Sequence, residues 1–161
     1  MQFSTAFIAA TAAVLASASP IATAPATSDK TWLVTGWDAG CGHGGCFGQF
    51  TVSAPASTAN PEAPALNATC QMQNEGGRYL PCTWNGADAA AGKRVVARLL
   101  PAIRVPGETT VARFEVSFQY PLANNPNGYY NWTAQGNSTY NRFIEPLKTF
   151  NIPVTKIFGI A

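Results

Sequence analysis

The chain has 161 residues, of which 47% are hydrophobic and only 11% charged, with ten basic against eight acidic side chains and a formal charge of +2. That near balance lacks the basic footprint of a nucleic-acid-binding protein, so no nucleic acid is expected as a partner. No apolar run reaches the ~20 residues that a membrane-spanning helix needs, so no membrane span is expected either.

The chain opens Met-Gln-Phe-Ser-Thr and continues in a largely apolar run from Ala6 to Ala16. The run ends at Ala16-Ser17-Ala18, a small-x-small cleavage site, so residues 1–18 read as a cleavable signal peptide with Ser19 as the first mature residue. The expected location is secreted and extracellular. Residues 19–29, rich in Pro, Ser, Thr and Ala, read as a flexible leader, and 30–161 as a single disulfide-stapled β domain.

Strand signals begin at Lys30–Thr35, which is β-branched and aromatic. The Gly-rich stretch 40–48 reads as a loop, Phe47–Ser53 as an alternating strand, and 54–64 as a Pro-rich loop. Leu66–Gln73 and Arg78–Trp84 flank Asn74-Glu75-Gly76-Gly77, a hairpin signal. A turn of small residues from Asn85 to Gly92 leads into a strand at Arg94–Leu100, and Pro106-Gly107-Glu108 is a further turn.

Val111–Tyr120 alternates strictly. Ala112, Phe114, Val116, Phe118 and Tyr120 form the expected core face, and Arg113, Glu115, Ser117 and Gln119 the wet face. A turn at 124–128, a strand at Tyr129–Gln135 and a tail with Pro146 and Pro153 complete the chain. The prolines predict one or two short edge strands in the tail. No segment holds a helical period. The fold class is therefore all-β, a single antiparallel β-barrel or sandwich of about seven or more short strands.

Four cysteines in an exported chain imply disulfides, with three possible connectivities. Cys41–Cys46 and Cys70–Cys82 are the favoured pairs, because each closes a short local loop. His43 between Cys41 and Cys46 invites a metal reading. However, the four-residue gap departs from zinc spacings such as C-x2-C, and His43 is the only histidine. No metal and no cofactor is expected.

A Ser-His-acid or Cys-His triad would have to use His43, Gly-x-Ser-x-Gly is absent, and the acids are scattered. No catalytic residues are assigned. Asn67-Ala68-Thr69, Asn131-Trp132-Thr133 and Asn137-Ser138-Thr139 are sequons, which makes Asn67, Asn131 and Asn137 candidate N-glycan acceptors, with Asn137 expected in a polar turn. Trp32, Trp37, Tyr129, Tyr130, Trp132 and Tyr140 offer either core packing or a sugar-stacking platform.

Trp32-x-Val34, Phe50-x-Val52, Cys70 with Cys82 twelve residues on, and Val95-x-Ala97-x-Leu99 together resemble the secreted fungal family of the Alternaria major allergen over roughly residues 31–135. That family comprises small secreted β-barrel proteins, including plant cell-death elicitors and effectors. The resemblance matches Cys70 and Cys82 to the family's central hairpin disulfide. The chain differs in having no cysteine after Cys82 and in carrying the Cys41/Cys46 pair. The resemblance implies a non-enzymatic interaction protein, effector-like or allergen-like. Its partner would be a host protein or a cell-wall polysaccharide, and self-association into a homo-oligomer stays open. The alternative is a secreted carbohydrate-binding module or a small extracellular hydrolase.

Overall fold

A computed structural model describes residues 30–86, 92–103, 106–107, 110–122 and 125–160. The segments expected as signal peptide (1–18) and leader (19–29) lie outside these, as do most of the expected 85–92 turn, Glu108 and Asn124. Period-two patterning builds nine strands among the described residues: β1 (Thr31–Gly42), β2 (Gly45–Ala54), β3 (Leu66–Gln73), β4 (Leu80–Pro81), β5 (Thr83–Trp84), β6 (Arg94–Leu99), β7 (Val111–Leu122), β8 (Asn125–Thr139) and β9 (Lys148–Ile160). No helix occurs among them. All neighbours pair antiparallel in one sheet of order β4-β6-β7-β8-β9-β1-β2-β3-β5, a nearly closed barrel.

The two ends of this order, β4 and β5, are consecutive in the chain, with Cys82 between them. One short segment therefore crosses the barrel seam. Leu80 and Pro81 pair with Ala97 and Val96 of β6, and Thr83 and Trp84 pair with Thr69 and Ala68 of β3. At the crossing, the Cys82 amide donates to the Val95 carbonyl at 2.9 Å and its sulfur bonds Cys70. The expected hairpin over 66–84 is thus only half a hairpin. Its second arm leaves β3 to satisfy the open edge of β6, because unpaired edge groups are costly.

The strands run longer than the sequence suggests, and β1 shows why. Trp32 and Val34 point inward, so strict alternation would place residue 36 inside next. Residue 36 is instead a glycine at φ +65°, sitting in a break of register with both neighbouring strands. This bulge resets the parity, so Trp37 and Ala39 become the inward residues and the strand continues to Gly42. The Gly-rich stretch 40–48 is accordingly not a loop. It is a β-ladder in which Gly42 faces Gly45 and only His43-Gly44 turn.

Inward residues fill the barrel with two aromatic groups. Trp37 packs at a tilt against Phe114 (ring centroids 4.6 Å) and Phe50 (5.6 Å) and edge-on against Phe150 (5.9 Å), while Phe118 meets Tyr120 (5.2 Å), Trp84 (5.8 Å) and Trp32 (6.4 Å). Trp32, Trp37 and Trp132 are core residues, so the sugar-stacking platform that would have used them does not form. Gly136 of β8 sits opposite Phe114, and a Cβ there would come within 2.5 Å of Ile152 and 2.7 Å of Phe114. Only glycine leaves room for that ring.

Two further expectations are corrected. The tail does not form short edge strands: β9 has 13 residues and lies in the middle of the sheet between β8 and β1. Pro153 is accommodated because it is the last pair with β1, opposite Thr31, and β8 pairing stops one residue away at Val154. The core face of β7 is as expected, but its outer face is not fully wet. Glu115 is 7% exposed and Ser117 is equally covered, because long polar side chains from β6 and β8 lean over them.

Candidate recognition surface

One end of the barrel carries the β1–β2 tip, the turn after β3 and the segment joining β8 to β9. Tip and turn are packed side by side. Cys41 and Cys46 face each other across the ladder with Cα atoms 4.0 Å apart, and their disulfide locks the tip. Gly45 adopts φ +103°, and a Cβ there would come within 2.5 Å of the Asn74 side-chain oxygen. The Asn74 amide donates to the Cys46 carbonyl at 2.7 Å. Tyr140 donates its hydroxyl hydrogen to the Glu75 carboxylate, linking the turn to the β8–β9 segment. Between these parts lies a cleft of about 950 Å³, bordered by Phe47, Glu75, Tyr140, Arg142 and Phe143.

The β8–β9 segment is held by one buried side chain. Beyond Trp37, β1 has no further partner from β9, and Asn141 takes that place. Its carbonyl oxygen accepts from the Ala39 amide at 3.0 Å, and its amide donates to the Trp37 carbonyl and the Pro146 carbonyl, both at 2.9 Å. The Arg142 amide then donates to the Ala39 carbonyl at 2.9 Å. Trp37 adds an indole N–H bond to the Thr139 carbonyl at 2.9 Å.

The loop fixed in this way projects apolar side chains outward. Phe143 is 95% exposed, Ile144 74% and Leu147 64%. Phe143 also holds φ +75°, a conformation that bulky residues avoid and that costs roughly 1–3 kcal/mol. Charges frame the loop. The Arg142 guanidinium lies 4.8 Å over the Phe47 ring and 3.7 Å from the Asp38 carboxylate. Glu145 pairs with Lys148, which holds the Glu145 carboxyl below its ordinary range.

The sequence-stated residues fall as follows. Both expected disulfides are present, and only Cys41–Cys46 belongs to this end. His43 stands exposed at the hairpin turn. The Cys41 and Cys46 sulfurs and the Glu75 carboxylate lie within 4.8 Å of one another, but the sulfurs are bonded to each other and offer no thiolate to a metal. Asn67 is exposed on β3, where its carbonyl accepts from Asn85 at 3.1 Å. Asn131 accepts from Ser117 at 2.6 Å on the outer wall. Asn137 is exposed but lies within β8, opposite Arg113, and not in a turn.

The sequence reading missed the 141–147 loop, although Phe143-Ile144 and Leu147 around Pro146 are an apolar cluster in a segment without alternation. Compared with protein-family models, curated proteins and solved structures, the chain matches none. The fold and this end together define an all-β, disulfide-stapled barrel with an exposed apolar loop, tied down by Asn141, at one end.

Proposed function

We propose that this is a secreted, non-enzymatic recognition protein, effector-like or allergen-like, that binds a host protein through the 141–147 loop. The observation that carries the reading is the exposure of Phe143, Ile144 and Leu147 on a loop clamped by buried Asn141. Clustered exposed apolar side chains mark interaction sites. A pre-fixed loop avoids the ordering cost that a floppy one meets on binding. Aromatic anchors with flanking Arg are the usual centres of binding energy, and Arg142 stands beside Phe143. The two disulfides fit an oxidising, extracellular setting. The sequence resemblance to the Alternaria allergen family supports the same class.

Leaf infiltration tests it. The secreted protein is compared with the double variant Phe143→Ser/Ile144→Ser and with His43→Ala, with circular dichroism as the fold control. Cell death or defence signalling is expected from the parent and from His43→Ala, and is expected to be lost in the double variant. An equal response from the double variant would remove the loop from the mechanism. A loss of about a hundredfold in His43→Ala would indicate acid–base catalysis instead.

A further inference from the structure

The outer wall of the barrel carries a second concavity, about 610 Å³, across β6, β7, β8 and β9. Register places its residues in rows. Arg98, Glu115 and Gln135 lie side by side, as do Val96, Ser117, Thr133 and Lys156, and then Arg94, Gln119, Asn131 and Phe158. The outer face of a sheet is ordinarily a solvated carpet of side chains, yet here Glu115, Ser117 and Thr133 are buried polar residues forming a floor.

The floor is pre-organised. Glu115 accepts from Gln135 at 2.9 Å and pairs with Arg98 at 3.4 Å, and Ser117 donates to the Asn131 carbonyl at 2.6 Å. Asn131, Thr133 and Gln119 also line the groove, and their amide and hydroxyl groups can offer further hydrogen bonds to a ligand. At the two rims, cations are held over rings: Arg98 4.4 Å over Tyr79, and Lys156 5.2 Å over Phe158. Arg98 is already engaged with the carboxylate of the groove, Glu115, so Arg94 and Lys156 are the lining cations left to meet an anion.

We infer that this groove binds a carboxylated oligosaccharide, a short stretch of a uronic-acid-containing glycan. Ring hydroxyls suit a floor of neutral amides and hydroxyls, and uronate carboxylates suit Arg94 and Lys156, with Arg able to bind them in a forked pair. A concavity of this size fits a ligand larger than one sugar. The groove is on the wall and the proposed recognition loop is at the end, so either assignment can fail without the other.

The test is calorimetric titration of the secreted protein with oligogalacturonate, beside chito- and cello-oligosaccharides, polyglutamate and single-stranded DNA. Saturable binding to oligogalacturonate alone is expected, weakening with salt. Arg94→Gln and Lys156→Gln, both at exposed positions, are each expected to weaken it about tenfold. Phe143→Ser/Ile144→Ser should leave it unchanged. Absence of oligogalacturonate binding, equal binding of a neutral sugar, or equal binding of polyglutamate or DNA would overturn the inference. So would mass spectrometry finding Asn131 of the secreted protein already glycosylated, since its own glycan would then fill the groove.

Discussion

At the scale of single residues, Asn141 and Phe143 act in opposite directions on stability. Asn141 satisfies one buried amide and two carbonyls that no strand reaches. Asn141→Ala strands these groups at about 1–3 kcal/mol for each one that stays buried, so a total loss of about 3 kcal/mol is expected in chemical denaturation. Asn141→Asp should be at least as damaging, because a carboxylate cannot make the two donations. Phe143 is nearly fully exposed and strained. Phe143→Gly removes the strain at the cost of some chain entropy, so its midpoint should equal or exceed the parent's while recognition is lost.

Tyr120 sets a third expectation at this scale. Its hydroxyl donates to the Glu62 carbonyl at 2.7 Å, and burial, followed by the nearby Tyr130, pushes its phenol well above the ordinary range. The neutral form is favoured in the fold, so its contribution is complete below about pH 10 and is lost as pH rises beyond that, where the unfolded chain ionises freely. The denaturation midpoint should therefore fall above about pH 10, and Tyr120→Phe should fall less steeply.

At the scale of elements, the β7–β8 ladder is where close packing and outer-face bonding meet. Gly136→Ala drives a methyl into Phe114 and Ile152, and overpacking of this kind costs about 1–3 kcal/mol. Phe114→Ala should cost about 3–5 kcal/mol. Simple alternation would make Glu115→Ala nearly silent. Its burial and its bonds to Arg98 and Gln135 instead predict a loss of about 1–3 kcal/mol, read from the same denaturation curves. A silent Glu115→Ala would mean that the outer groove is open to water.

At the scale of the whole molecule, the barrel closes through one crossing segment and one disulfide. Cys70→Ala/Cys82→Ala should lower stability by roughly 3 kcal/mol and increase hydrogen exchange along β3, β4 and β6 together, because these meet at the seam. Cys41→Ala/Cys46→Ala should loosen only the tip, where the ladder already pairs the two residues. Equal exchange effects from both double variants would mean that the seam does not depend on its bond.

The all-β class, the strand over Leu66–Gln73, the inner face of Val111–Tyr120 and both disulfides were legible in the residues themselves, because alternation and short cysteine loops are local properties. Alternation states only which residues share a face. It does not say what lies beside a face, and it loses its phase at a bulge, which is why the strand through Gly36 looked as if it ended at Thr35. The central place of β9, the clamp on the 141–147 loop and the polar groove on the outer wall all depend on partners more than a strand away in sequence. Asn141 meets Ala39 across 102 residues, and Glu115 is buried only because β6 and β8 flank it. Long-range pairing, and not local pattern, decided which side chains this barrel presents at its end and on its outer wall.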